Sequence, residues 1–145
     1  IGEYGGQASH QGIEAYMDAN YGGVGAVAGS QMYWEYQKGG YGPLDSTGKE
    51  QKALLDTIVR PYPLRVAGDP VSYAFEESTD AFTLTYHPTA AITAPTLISV
   101  PARAYPSGYA VSCTGCSHVA QATGVLSITT PPSGTPATIT VSPKL

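Results

Sequence analysis

The sequence predicts an α/β segment followed by an antiparallel β-sandwich, and three observations carry that prediction. Residues 1–60 alternate short apolar runs with stretches of helical period, whereas residues 70–145 alternate large apolar and polar side chains at period two. Composition agrees: 17 Gly, 12 Pro and 11 Tyr against only 12% charged residues suit a β-rich extracytoplasmic protein better than a helical cytosolic one. A chain of 145 residues is also long enough to bury a core.

In the first half, Ser9 is placed to cap a helix running to about Asn20, with Ile13, Tyr16 and Met17 on one face. Gly22 and Gly23 are expected to stop it. Val24 to Tyr36, small and apolar and then aromatic, reads as a strand buried on both sides. Gly39 to Pro43 is a loop. Thr47 and Glu50 have capping-box spacing for a second helix, whose stripe is Leu54, Leu55, Ile58 and Val59 and which Pro61 and Pro63 end.

In the second half, six short strands follow from the alternation. Their apolar positions are Val71, Tyr73 and Phe75; Phe82, Leu84 and Tyr86; Ile98 and Val100; Tyr109 and Val111; Leu126 and Ile128; and Ala137, Ile139 and Val141. The division falls between residues 1–68 and 69–145. About one strand and two helices cannot cover their own apolar faces, so the first segment must lean on further chain, on a partner or on the sandwich.

Several function classes are excluded. A net charge of −4 leaves no basic stripe, so nucleic acid is not an expected partner. No apolar run approaches the ~20 residues of a transmembrane helix. Cys113 and Cys116 flank Thr114-Gly115, with only His118 nearby, too few ligands for zinc. Gly115 marks a turn rather than the helix start of a redox motif. The pair is therefore expected to form a small disulfide, which puts the protein in a secreted or luminal compartment.

The chemistry is concentrated near the start. Glu3 lies at a strand end beside Gly2, Gly5 and Gly6, and a helix and a strand ending in Tyr33-Trp34-Glu35-Tyr36 follow. An exposed carboxylate near a strand-end indole is an arrangement suited to carbohydrate. Each residue also has a plain structural reading: Glu3 as a solvated turn residue, Trp34 as core, Glu35 as a solvent-facing strand residue. Tyr21, Tyr33, Tyr36 and Tyr41 form either a sugar or lipid surface or ordinary half-buried sheet positions.

These residues resemble the C-terminal end of a family five glycoside hydrolase of the endoglycoceramidase-related group. Ile1-Gly2-Glu3-Tyr4-Gly5 resembles the end of barrel strand seven, and Gly29-Ser30-Gln31-Met32-Tyr33-Trp34-Glu35-Tyr36 resembles strand eight. Arg60-Pro61-Tyr62-Pro63 and Val66-Ala67-Gly68-Asp69-Pro70 resemble the passage into an appended β-sandwich, within which Val100-Pro101 and Tyr105-Pro106-Ser107-Gly108-Tyr109 fall. The resemblance implies the last strands and helices of a (β/α)-eight barrel, Glu3 as nucleophile, and Trp34, with Tyr33 and Glu35, at the sugar. It also implies a glycan or glycolipid substrate, cleavage between sugar and ceramide, and no metal or organic cofactor. The acid/base carboxyl and barrel strands one to six have no counterpart here, so the chain is expected to be a fragment that works with the upstream portion of the same enzyme. The competing expectations are a non-catalytic, self-associating or glycan-binding module and a redox protein using Cys113 and Cys116.

Overall fold

The computed structural model describes residues 2–132 and 134–144. Ile1, Ser133 and Leu145, and the side chains of His118, Ala120 and Gln121, lie outside the described residues. With them go the Ile1 of the opening motif and the side chain of His118, the histidine near the two cysteines.

Two short parallel strands, β1 (Glu3–Tyr4) and β2 (Met32–Tyr33), are joined by helix α1 (Ile13–Ala26), the crossover that parallel pairing requires. The helix differs from expectation at both ends. Its N-cap is Gly12, at φ 80° and without a side-chain cap bond, so Ser9 does not serve. It also runs through Gly22 and Gly23, where an added Cβ would meet open space. The stop comes later: the Gly29 N–H donates to the Val24 carbonyl (2.9 Å) and the Ala28 N–H to the Gly25 carbonyl (3.0 Å), with Ala28 left-handed at φ 48°. That pattern satisfies the last carbonyls of the helix. The long strand expected over residues 24–36 therefore contracts to β2, because its first residues finish the helix and the chain bends after Tyr33.

Helix α2 (Lys52–Ile58) starts at Gln51 and not from a Thr47–Glu50 box. Asp45 organises that approach instead, its Oδ1 accepting from the Thr47 N–H, the Thr47 hydroxyl and the Lys49 N–H. Glu50 is drawn away to pair with Arg103. The expected stripe holds at Leu54 and Leu55, which are buried.

The remainder is a sandwich of two four-stranded antiparallel sheets. One contains β4 (Gly68–Glu76), β5 (Ala81–Pro88), β10 (Ala137–Pro143) and β7 (Tyr109–Thr114), in that order. The other contains β3 (Tyr62–Arg65), β6 (Thr96–Ser99), β9 (Val125–Thr129) and β8 (His118–Ala122). Phe82, Leu84 and Tyr86 of β5 and Ile139 and Val141 of β10 face Ile98, Leu126 and Ile128 of the opposite sheet, all fully buried. All six expected strands are present, and β3 and β8 are additional. The sandwich takes in β3, which precedes the boundary drawn at residue 69. Cys113 and Cys116 form the expected disulfide, with Cα atoms 5.8 Å apart.

The N-terminal segment leans on the sandwich. Gly25 of α1 lies against the Tyr73 carbonyl of the edge strand β4 so closely that any Cβ there would collide with it. The Tyr73 hydroxyl donates to the Gly29 carbonyl at 2.9 Å. Arg60, only 6% exposed, reaches Asp18 on α1 (2.9 Å) and Glu77 on the β4–β5 turn (2.6 Å), while its Nε donates to the Thr57 carbonyl. Its guanidinium stacks over Tyr21 at 4.4 Å and Phe75 at 5.4 Å. A fork-shaped cation with five donors is suited to such a joint, where carboxylates and ring faces converge from several elements.

Candidate functional site

The register of β1 and β2 pairs Glu3 with Met32 and Tyr4 with Tyr33. Paired residues share a face and successive residues alternate between faces. Glu3 and Met32 accordingly occupy one face, and both are exposed. Tyr4 and Tyr33 occupy the other, where a small core forms from Tyr4, Ile13, Met17 and Leu54.

Trp34 extends the pairing by one residue, its N–H donating to the Tyr4 carbonyl at 2.7 Å. Gly5 permits this, since a Cβ there would run into the Trp34 carbonyl. The peptide bond from Trp34 to Glu35 is cis. Trp34 is 45% exposed, so its indole is not locked in a core. Glu3, which opens β1, and Trp34, which directly follows β2, thus belong to two neighbouring parallel strands, and both are exposed. Tyr33 does not join them on the open face. Its ring meets Tyr4 edge-on at 5.8 Å and its hydroxyl donates to the Tyr41 carbonyl, fastening the following loop to the strand. Glu35 is half-buried beyond the bend, and Tyr36, 80% exposed, leads into the loop.

Behind the strands lies a set of residues that the sequence did not announce. The Tyr4 hydroxyl donates to the Tyr21 hydroxyl (2.5 Å), which in turn donates to the Ile58 carbonyl (3.3 Å), and the two rings meet edge-on at 5.7 Å. Burial pushes the Tyr4 hydroxyl well above the ordinary phenol range, and donation to Tyr21 adds to that. Burial also raises Tyr21, opposed by the bond from Tyr4 and by the Arg60 charge. Both phenols are therefore neutral donors at any working pH. A cavity of about 400 Å³ opens here, lined chiefly by Tyr4, Tyr21, Tyr33, Arg60, Tyr73 and Phe75, and neither Glu3 nor Trp34 lines it. The available signal was Arg60 itself, a lone cation directly after the apolar pair Ile58-Val59. Among the described residues no group of three or more His, Cys, Asp or Glu is placed to hold a metal ion.

The glycoside hydrolase family 5 C-terminal domain matches residues 60–142. The chain belongs to that family. Its family 5 character is matched by solved structures of endo-glycoceramidase II from Rhodococcus sp. The lactosyl-enzyme intermediate of that protein is 32% identical with a TM-score of 0.83, covering 100% of this chain and 33% of that one. Its ganglioside GM3 complex is 31% identical, again at 0.83, covering 100% and 32%. Cryptococcus neoformans sterylglucosidase 1 with tris is 16% identical at a TM-score of 0.77, covering 99% and 28%, and shares the fold. The chain spans about a third of the length of the endo-glycoceramidase structures it matches. No curated protein matches it.

Proposed function

We propose that this chain supplies the nucleophile end and the accessory sandwich of a retaining glycosidase that cleaves glycolipids. The observation that carries the reading is that Glu3 and Trp34 are exposed on adjacent parallel strands joined by a helical crossover, the unit repeated in (β/α)-eight barrels. Similarity of this whole chain to about a third of endo-glycoceramidase II, a protein seen with a lactosyl adduct and with GM3, supports both the barrel origin of the N-terminal segment and a glycolipid substrate.

In the proposed reaction the Glu3 carboxylate attacks the anomeric carbon as the bond to the aglycone oxygen breaks. That oxygen takes a proton from a second carboxyl ~5–5.5 Å away, which the upstream portion of the enzyme contributes. Water then attacks the glycosyl-enzyme ester, giving up its proton to the same second carboxyl and releasing the sugar with Glu3 restored. Trp34 offers a flat apolar surface to the sugar ring at low entropic cost. The disulfide supports an extracytoplasmic setting.

The test is an assay on glucosylceramide and on an aryl glucoside. The chain alone is expected to be inactive, since one carboxylate cannot serve both as nucleophile and as proton donor. Joined to its barrel, the enzyme should turn over both substrates, and Glu3→Gln should abolish this. An active Glu3→Gln enzyme would refute the assignment, and turnover by the isolated chain would refute the division of labour.

A further inference from the structure

The hydrogen-bonded phenols behind β1 connect the sandwich to the residue next to Glu3. Starting from the sandwich, Glu77 on the β4–β5 turn binds Arg60 at 2.6 Å. Arg60 lies over the Tyr21 ring at 4.4 Å. Tyr21 accepts from Tyr4 at 2.5 Å and donates to the Ile58 carbonyl at the end of α2. Tyr4 adjoins Glu3 and is 8% exposed. β1 is only two residues long, so this side-chain anchorage supplements little backbone pairing.

We infer that Tyr21 is a positioning residue for the nucleophile: through Tyr4 it fixes the pitch of β1, and through Arg60 the sandwich fixes Tyr21. The inference rests on the reading of Glu3 as nucleophile. It gives the accessory domain a task beyond solubility, namely holding one carboxylate at attack distance. Nucleophilic attack is sensitive to such placement, because a displacement of ~1 Å can cost ~100-fold in rate. Loss of one hydroxyl from a retained ring shifts the strand by less, so about tenfold is expected here.

The experiment uses the whole enzyme that carries this chain, treated with 2-deoxy-2-fluoro-β-glucosyl fluoride, which traps the nucleophile as a stable glycosyl ester. In wild type the label is expected on Glu3. Tyr21→Phe and Tyr4→Phe should each slow labelling about tenfold at an unchanged inhibition constant, and the double variant should be no slower than Tyr21→Phe, which already removes the bond from Tyr4 together with that to the Ile58 carbonyl. Tyr105→Phe is the control: its hydroxyl donates to the Asp80 carbonyl (2.9 Å) and the Val141 carbonyl (3.3 Å) within the sandwich. It should lower the melting temperature at least as much while labelling Glu3 at the wild-type rate. Wild-type labelling in Tyr21→Phe, or equal slowing in Tyr105→Phe, would overturn the positioning role while leaving Glu3 in place. A label on any residue other than Glu3 would overturn the nucleophile assignment and the positioning role with it.

Discussion

Replacing Arg60 with Ala should destabilise the chain by about 3 kcal/mol, and the structure indicates how that figure divides. The Thr57 carbonyl loses its donor, worth ~1–3 kcal/mol for a group left without one. The stacks on Tyr21 and Phe75 contribute about 1 kcal/mol together. The two carboxylates add less than their short distances suggest, because Asp18 and Glu77 are 49% and 46% exposed and return to water. For a chain of this size ~3 kcal/mol corresponds to a melting temperature lower by about 9 °C. Guanidinium unfolding and calorimetry measure both quantities. Asp18→Asn or Glu77→Gln alone should cost about 1 kcal/mol or less, since Arg60 keeps one partner. Removing both acids strands a nearly buried cation and should cost more than the sum. A loss below about 1 kcal/mol for Arg60→Ala, or strict additivity of the two acid variants, would refute the view of Arg60 as the joint between α1 and the sandwich.

Gly25→Ala should destabilise by about 2 kcal/mol or more through collision with the Tyr73 carbonyl, whereas Gly23→Ala, in open space on the same helix, should stabilise by about 0.5–1 kcal/mol; chemical denaturation of the pair distinguishes packing from propensity. Bonds from the Thr47 side chain and from the Lys49 and Thr47 backbone hold the Asp45 carboxyl below its ordinary range, so its support of the 45–49 turn is complete above that range and is lost as pH falls through the depressed folded value. Carbon-detected titration of Asp45 should show this midpoint below that of a free aspartate, and Thr47→Ala should raise it. The Cys113–Cys116 bond closes only a four-residue loop, so reducing it should lower stability by about 2 kcal/mol at most, measured by unfolding with and without a reductant.

The sandwich was largely legible because its interior selects large side chains at every second position. Phe82, Leu84 and Tyr86 are buried where the alternation placed them, as are Ala137, Ile139 and Val141. β3 was hidden by Pro61 and Pro63, which read as the end of a helix; as an edge strand it tolerates a proline that an interior strand could not. β8 carries His, Val, Ala, Gln and Ala, with no apolar alternation to reveal it. The run from Gly22 to Gly29 was misread because glycine and alanine carry little periodic information, and the tertiary fit of Gly25 on β4 decides that the helix continues. At the proposed site, Glu3 and Trp34 were singled out by motif order alone, whereas the Tyr4–Tyr21–Arg60 connection joins residues up to 56 apart in sequence, and only folding brings them together.

The strand order has a consequence for how such a protein is made. β10 is central in its sheet, hydrogen-bonded to β5 on one side and β7 on the other, yet it follows every other strand of the sandwich in sequence. Until it is made, β5 and β7 each present an unpaired backbone edge, and the core around Phe82, Leu84 and Tyr86 lacks Ala137, Ile139 and Val141. Chaperone contact should therefore persist through synthesis of β5 to β9, and premature termination before residue 137 should yield aggregates and not a smaller folded product.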